Sequence, residues 1–153
     1  MVLSGIWRKN ENSKDLPHDL IVSHDKGVDP QAVQELCASV GWSRREPELI
    51  VRALANSLAV VSIWSGGDLI GFARATGDKV FNATVWDMVV RPDFQRMGVG
   101  RLVMAELLKE LDEYQIPLVT LYADPGTDGF YKRFGFLADP SGVRGMFREK
   151  LEY

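Results

Sequence analysis

The segment with the firmest hold on the fold is residues 80–123, VFNATVWDMVVRPDFQRMGVGRLVMAELLKELDEYQIPLVTLYA. Its first eleven residues, VFNATVWDMVV, are rich in β-branched and aromatic side chains and predict a long strand over 80–90. RPDFQRM reads as a loop. Val99, Leu102, Val103, Leu107 and Leu111 then recur at helical spacing, which predicts a helix over 98–115 that Pro117 ends. LVTLYA, residues 118–123, is an apolar strand. Two strands joined through a helix of this length lie parallel and side by side, with a right-handed crossover.

The rest of the chain supplies elements to surround that unit. DLIVSH (19–24) predicts a strand. GVDP turns the chain, with Asp29 as N-cap and Pro30 at the first helical position. Residues 31–39 place Val33, Leu36, Cys37 and Val40 on one helical face. Pro47 opens a second helix with Leu49, Ile50, Ala53 and Leu54 on one face. LAVVSIW (58–64) and LIGFARAT (69–76) predict strands, and SGG between them a hairpin turn. TDGFYKRF (127–134) suits a short helix ended by Gly135, and GMFREKLE (145–152) a last strand. The fold class expected is α/β, in the form of an α+β mixed sheet flanked by helices. We expect an N-terminal arm over residues 1–18 and a single domain over 19–153, with no internal repeat.

Composition narrows the function classes. A chain of 153 residues suits one core, and 46% apolar with 25% charged residues matches a globular protein. The net charge of −3 gives no electrostatic case for nucleic acid as a partner. No apolar run approaches the ~20 residues of a membrane-spanning helix, so no membrane partner is expected. MVLSGIWRKNENSKD does not read as a signal peptide, since its charges follow a short apolar stretch. Cys37 is the one cysteine, which excludes an internal disulfide and fits a reducing, cytoplasmic compartment. His18 and His24 have no Cys or His partner at ligand spacing, so no metal is expected.

The chemistry concentrates at QRMGVG, residues 95–100. A helix N-terminus presents unpaired N–H groups and the positive end of the helix dipole, and glycines let an anion come close to them. Arg91, Arg96 and Arg101 flank the turn and add positive charge. A phosphate or pyrophosphate is the simplest ligand; a GxG that merely shapes a loop is the alternative. GxxxxGK[ST] is absent, which excludes a P-loop. Val103 stands where a dinucleotide fingerprint has its third small residue.

The longer stretch VVRPDFQRMGVGRLVMAELL resembles the acetyl-CoA signature of the GNAT superfamily of N-acetyltransferases. That signature is a strand, V-x-P, [QR]-x-x-G-x-[GA] and a helix. Val90, Pro92, Gln95, Gly98 and Gly100 fill it position by position, and the likeness in element order spans about residues 19–150. FARATGDKVFNATVWDMVV, LYAD, FYKRFGF and ADPSGVRGMF further resemble the plastid and cyanobacterial branch that includes plant serotonin N-acetyltransferases. The resemblance implies that Gln95, Arg96, Met97, Gly98, Val99, Gly100 and Arg101 cradle the CoA pyrophosphate. It also implies that main-chain groups of Met88, Val89 and Val90 bond the pantetheine arm, where the two parallel strands splay apart. One departure is that Pro125 and Gly126 occupy the loop where many members carry an Asn.

Acetyl transfer to an amine needs a base, donors for the developing oxyanion and a proton for the departing thiolate. A backbone N–H near Val89 is a candidate donor. Strict alternation would put Val85, Asp87 and Val89 on one face of the strand. A carboxylate there is desolvated, which would raise its pKa toward that of a useful base; a structural Asp paired to an arginine is the alternative. Asp124 ends the second parallel strand, where it could take a proton or hold an ammonium, or simply serve the turn. The resemblance implies that Tyr131 lies near the sulfur, in contact with the cofactor, as general acid; an aromatic core residue is the alternative. Lys132 and Arg133 either approach the phosphates or face solvent. Cys37 reads as core.

Asp87, Asp124 and Asp128 near the expected mouth favour a cationic acceptor. Trp42 is the preferred aromatic on the acceptor side, with Trp64 and Trp86 read as core. Substrate contacts are therefore expected from Trp42, Asp87 and Asp124. The expected function is acetyl-CoA-dependent N-acetylation of a primary amine by direct attack, best an arylalkylamine such as serotonin or tryptamine. Acetylation of protein lysines or N-termini is the close alternative. A non-catalytic acyl-CoA-binding module and a nucleotide-binding domain are rivals of other classes. Partners are a small-molecule or protein amine, and a homodimer is allowed. For a plastid-encoded chain the compartment is the stroma.

Overall fold

The computed structural model describes residues 15–149. A five-stranded mixed sheet runs in chain order from β1 (Ile21–Ser23) through β2 (Ala59–Ser65), β3 (Asp68–Gly77) and β4 (Asn82–Val90) to β5 (Leu118–Leu121). Its first three pairings are antiparallel and β4–β5 is parallel, as the strand–helix–strand pattern requires. α1 (Pro30–Ser39) and α2 (Pro47–Ala55) cover one face, α3 (Val99–Glu113) covers the other, and the short α4 (Asp128–Lys132) follows β5.

The element boundaries have local causes. Asp29 accepts the amide of Gln31 at 3.0 Å and caps α1, and Pro30 and Pro47 occupy the first helical turns. The β2–β3 hairpin turns on Gly66 and Gly67, both with positive φ (57° and 86°). β4 begins at Asn82 rather than Val80 because Asp78 Oδ1 accepts the amides of Val80, Phe81 and Asn82 and closes a loop there. α3 stops at Glu113, where Gln115 takes φ 57° ahead of Pro117.

Two apolar clusters sandwich the sheet. Val99, Val103, Leu107 and Leu111 of α3 bury fully against Val61, Ile63, Ala73 and Val85. Each such side chain contributes about 1.5–3 kcal/mol relative to exposure. Gly71 allows this contact: a Cβ there would lie 2.8 Å from Val99 Cγ1 and 2.9 Å from Val103 Cγ2. The first turn of α3 is thereby held against the sheet beside the end of β4. On the opposite face Leu36, Cys37, Ile50 and Leu54 pack on Val60, Phe72 and Val89.

Two expectations fail in the fold. β4 does not alternate strictly. Phe72 pairs with Val89 and Arg74 with Trp86, so Ala73 stands opposite both Asp87 and Met88. This β-bulge puts Asp87 at φ 54° and shifts the phase of the strand. Val85 therefore packs toward α3, while Val89 packs toward α1 and α2. Residues 145–149 form no strand. Left-handed φ values at Asp139, Ser141 and Gly142 break the extended course before them, and Met146 is 92% exposed. Residues 1–14 of the expected arm and 150–153 lie outside the described residues.

Candidate active site

The parallel pairing of β4 with β5 ends at Val85 and Leu121, yet β4 continues to Val90. Among the described residues no strand pairs the β5-facing edge beyond Val85. The chain then folds back through a turn that begins at Pro92, and Gln95 Nε2 donates to the carbonyl of Val90 at 3.0 Å. Arg96 (φ 61°) and Gly98 (φ 92°) are both left-handed, which turns successive amides toward one hollow at the start of α3. Gly98 is the N-cap of α3 and Leu102 donates to its carbonyl, so the amides of Val99, Gly100 and Arg101 head the helix.

A cavity of about 640 Å³ opens at this point. Its wall takes Met88 and Val90 from β4, Gln95, Arg96, Met97, Gly98, Gly100 and Arg101 from the loop and helix, and Thr127, Phe130, Tyr131 and Arg133 around α4. Of the residues expected around the cofactor, Val89 and Val99 turn their side chains into the core, so only their main chain can serve. Thr127 and Phe130 were not foreseen. Phe130 holds Tyr131 edge to face, with ring centroids 5.0 Å apart. Arg133 lines the cavity and Lys132 does not. Arg91 departs from expectation: it pairs with Asp93 at 2.9 Å and Asp68 at 3.0 Å, so its charge is spent outside the cavity. The hollow of left-handed amides with Arg96, Arg101 and Arg133 around it fits a pyrophosphate group.

Tyr131 is half-buried. Burial first, and then the negative charge of Asp124, push its phenol above the usual 10. The hydroxyl is thus protonated at neutral pH. Asp124 is exposed after β5, and its carbonyl accepts from the amide of Thr127 at 3.1 Å and from Thr127 Oγ1 at 2.7 Å. Gly126, at φ 85°, makes that turn.

A second cavity of about 450 Å³ lies on the α1–α2 face, with Asp87, Arg74 and Phe72 from the sheet. Gln34 and Cys37 of α1, Arg44 and Arg45 of the α1–α2 loop, and Leu49 of α2 complete much of its wall. Asp87 accepts Arg45 Nη1 at 3.0 Å on Oδ2, Arg45 Nη2 at 2.9 Å on Oδ1, and Arg74 Nε at 2.6 Å on Oδ2. Burial pushes this carboxyl up, but the two guanidinium groups outweigh it and hold the pKa below the usual 3.8. The expectation of a raised pKa at Asp87 is therefore overturned, and the arginine-paired alternative is the one observed. Arg45 and Arg74 were not foreseen, because neither is near Asp87 in sequence.

The aromatics are also redistributed. Trp42 packs on the α1–α2 cluster and does not line the second cavity. Trp64 packs there too, donating to Ser62 Oγ at 3.0 Å. Trp86, expected in the core, is 38% exposed; its indole donates to Thr76 Oγ1 and sits 5.5 Å from the Tyr122 ring. Phe147 packs edge to face on Tyr122, 4.6 Å between centroids. Cys37 is buried in the core, and burial raises its thiol pKa. Among the described residues no group of three His, Cys, Asp or Glu side chains is placed to hold a metal ion.

The arrangement of sheet, splay and hollow has close counterparts. An N-acetyltransferase named ycf52 of Porphyra purpurea, uncharacterized, is 43% identical over 133 residues, covering 84% of this chain and 76% of that protein. Serotonin N-acetyltransferase 2, chloroplastic, of Oryza sativa is 44% identical over 127 residues, covering 78% of this chain and 62% of that one. Histone acetyltransferase TAP1 of Glycine max is 41% identical over 139 residues, covering 84% and 60%. A solved GNAT family acetyltransferase of Streptococcus pneumoniae superposes with a TM-score of 0.75 at 28% identity, covering 87% of this chain and 99% of that one. The model of the acetyltransferase (GNAT) family matches residues 30–136. This chain is an acyltransferase, and it belongs to the GNAT family of N-acetyltransferases.

Proposed function

We propose that the protein transfers the acetyl group of acetyl-CoA to the primary amine of an arylalkylamine such as serotonin or tryptamine, by direct attack. One observation carries this reading. Asp87 and Met88 are neighbours in the bulge, yet Asp87 opens into the cavity of about 450 Å³ and Met88 into that of about 640 Å³. The two cavities meet the sheet where β4 has lost its parallel partner. A donor on one face and an acceptor on the other would come together there.

Acetyl-CoA supplies an activated acyl group when bound. The residues that would hold it are Gln95, Arg96, Met97, Gly98, Gly100 and Arg101 around the pyrophosphate, with main-chain groups of residues 88–90 and the amide of Val99. Tyr131, protonated at neutral pH, would give its proton to the departing thiolate. Asp124, beside it, would accept the proton lost by the amine, directly or through water. Asp87, at the floor of the acceptor cavity, would anchor the ammonium on entry. Trp86, next to Asp87 in the chain, and Tyr122 are exposed and stack 5.5 Å apart, and they line neither cavity, so an aromatic acceptor would meet them only at the surface. The rice relative's name agrees with that reading.

Acetylation of a protein lysine or N-terminus is the second reading. Leu49 and Arg45 in the wall of the second cavity are 50% and 49% exposed, which leaves room for a peptide, and the soybean relative's name points the same way. A soluble compartment, cytoplasm or plastid stroma, fits either reading, and the rice relative's name says chloroplastic. Thiol release from acetyl-CoA with tryptamine, serotonin, lysine peptides and peptide N-termini separates the readings. Tryptamine is expected to give the highest kcat/KM; a lysine peptide that exceeds it by tenfold would replace the first reading with the second.

A further inference from the structure

Three hydrogen bonds hold Asp87 before any acceptor arrives, two from the terminal nitrogens of Arg45 and one from Arg74 Nε. The two arginines differ in their freedom. Arg74 lies within β3 with its side chain 17% exposed, whereas Arg45 is on the α1–α2 loop with its side chain 49% exposed. Around Asp87 the charges sum to one positive, so an incoming ammonium is opposed as long as Arg45 stays. The loop is positioned for this contact: buried Gln34 of α1 turns its amide to the backbone of Arg45.

We infer that Arg45 is a plug on the acceptor anchor, whose guanidinium occupies on Asp87 the place of the acceptor's ammonium and leaves by exchange when a cationic amine enters. This rests on the reading of Asp87 as the acceptor anchor. The exchange is charge for charge: one cation leaves the carboxylate and one arrives, while Arg74 stays. A neutral molecule of the same shape leaves the Arg45–Asp87 pair in place, so Arg45 competes with cationic acceptors and not with uncharged analogues. Gln34 acts as a positioning residue.

The test uses the full chain, saturating acetyl-CoA and two amines: tryptamine, and Nα-acetyl-lysine methylamide. Neutral isosteres, 3-(2-hydroxyethyl)indole and the 6-hydroxynorleucine analogue, serve as competitive inhibitors. In Arg45→Met the KM of the turned-over amine is expected to fall by about three- to fivefold, the upper end of what releasing an exposed ion pair gives. The Ki of the matching neutral isostere stays within about twofold, because no charge is exchanged. An unchanged or raised amine KM overturns the plug, and so does an equal fall in KM and Ki, which is the mark of a merely wider pocket. Asp87→Asn distinguishes the two levels. If it raises amine KM while Arg45→Met does not lower it, the anchor stands and the plug fails. If it leaves amine KM unchanged, the anchor fails and the plug with it.

Discussion

Asp87→Asn is also the sharpest probe of how the bulge is held. Asn keeps the size of the side chain and tolerates the left-handed φ of 54°, so the substitution removes charge with little added strain. Two unequal losses follow. The Arg74 bond is short, 2.6 Å, between side chains that are 17% and 10% exposed. Hydrogen bonds to charged groups of that kind contribute about 1.5–3 kcal/mol. The Arg45 pair is bidentate, but its guanidinium is half in solvent, and exposed pairs contribute only about 0.2–1 kcal/mol. Asn still accepts one bond, so the net cost is about 2 kcal/mol, with most of it on the Arg74 side. Arg45→Gln should accordingly cost under about 1 kcal/mol. Urea unfolding at pH 7 measures both, and a loss of ~2 kcal/mol lowers the thermal midpoint by roughly 4–8 °C in a chain of this size. The pH dependence fixes the sign. The folded pKa of Asp87 lies below the usual 3.8, so its stabilisation is complete above 3.8 and is lost as pH falls through the folded value. The gap between wild type and Asp87→Asn should be full at pH 7, persist to pH 4 and close only in stronger acid. A cost at pH 7 below about 0.5 kcal/mol, or an Arg45→Gln cost equal to that of Asp87→Asn, would refute this account of the bulge.

Two further outcomes test the donor side. Tyr131→Phe should lower kcat by about a hundredfold or more, the scale of a lost general acid, and move the acetyl-CoA Kd by less than about threefold. Since burial and Asp124 hold the phenol above 10, the wild-type rate should show no tyrosine-linked decline below that pH; kinetics equal to wild type would take Tyr131 out of the proton path. Gly98→Trp sets a bulky side chain at φ 92° in the hollow of amides and should abolish acetyl-CoA binding by calorimetry. It should also cost about 1–2 kcal/mol of stability for the left-handed backbone; retained affinity would show that the hollow is not the phosphate site.

The parts of the fold that were legible depend on neighbours in the chain. Pro30, Pro47 and Pro117 punctuate helices through their own ring geometry, and Val99, Val103, Leu107 and Leu111 mark a face by spacing alone. Gly98 and Gly100 announced the hollow at the head of α3 because a left-handed N-cap is a property of one residue. Where reading by period failed, one residue or one distant contact intervened. The extra residue at Asp87 and Met88 leaves no mark in VWDMVV, which looks like any strand. Size and apolarity favour a core position for Trp86, but among the described residues the pairing of β5 with β4 ends at Val85 and the Trp86 ring stays 38% exposed. Residues 145–149 have strand-like composition but pair with no strand after the left-handed turns at Asp139, Ser141 and Gly142, and Phe147 packs on Tyr122.

The sequence by itself determined the crossover from β4 through α3 to β5, the mixed sheet and the anion-ready turn at residues 95–100. These follow from side-chain periodicity and backbone conformations set within a few residues. Tertiary structure alone decided the state of Asp87. Its pKa depends on Arg45 and Arg74, 42 and 13 residues away in the chain, which meet it only because β3 pairs with a bulged β4 and the α1–α2 loop folds over both. Electrostatic environment is a sum over neighbours in space, and burial alone would have given the opposite sign.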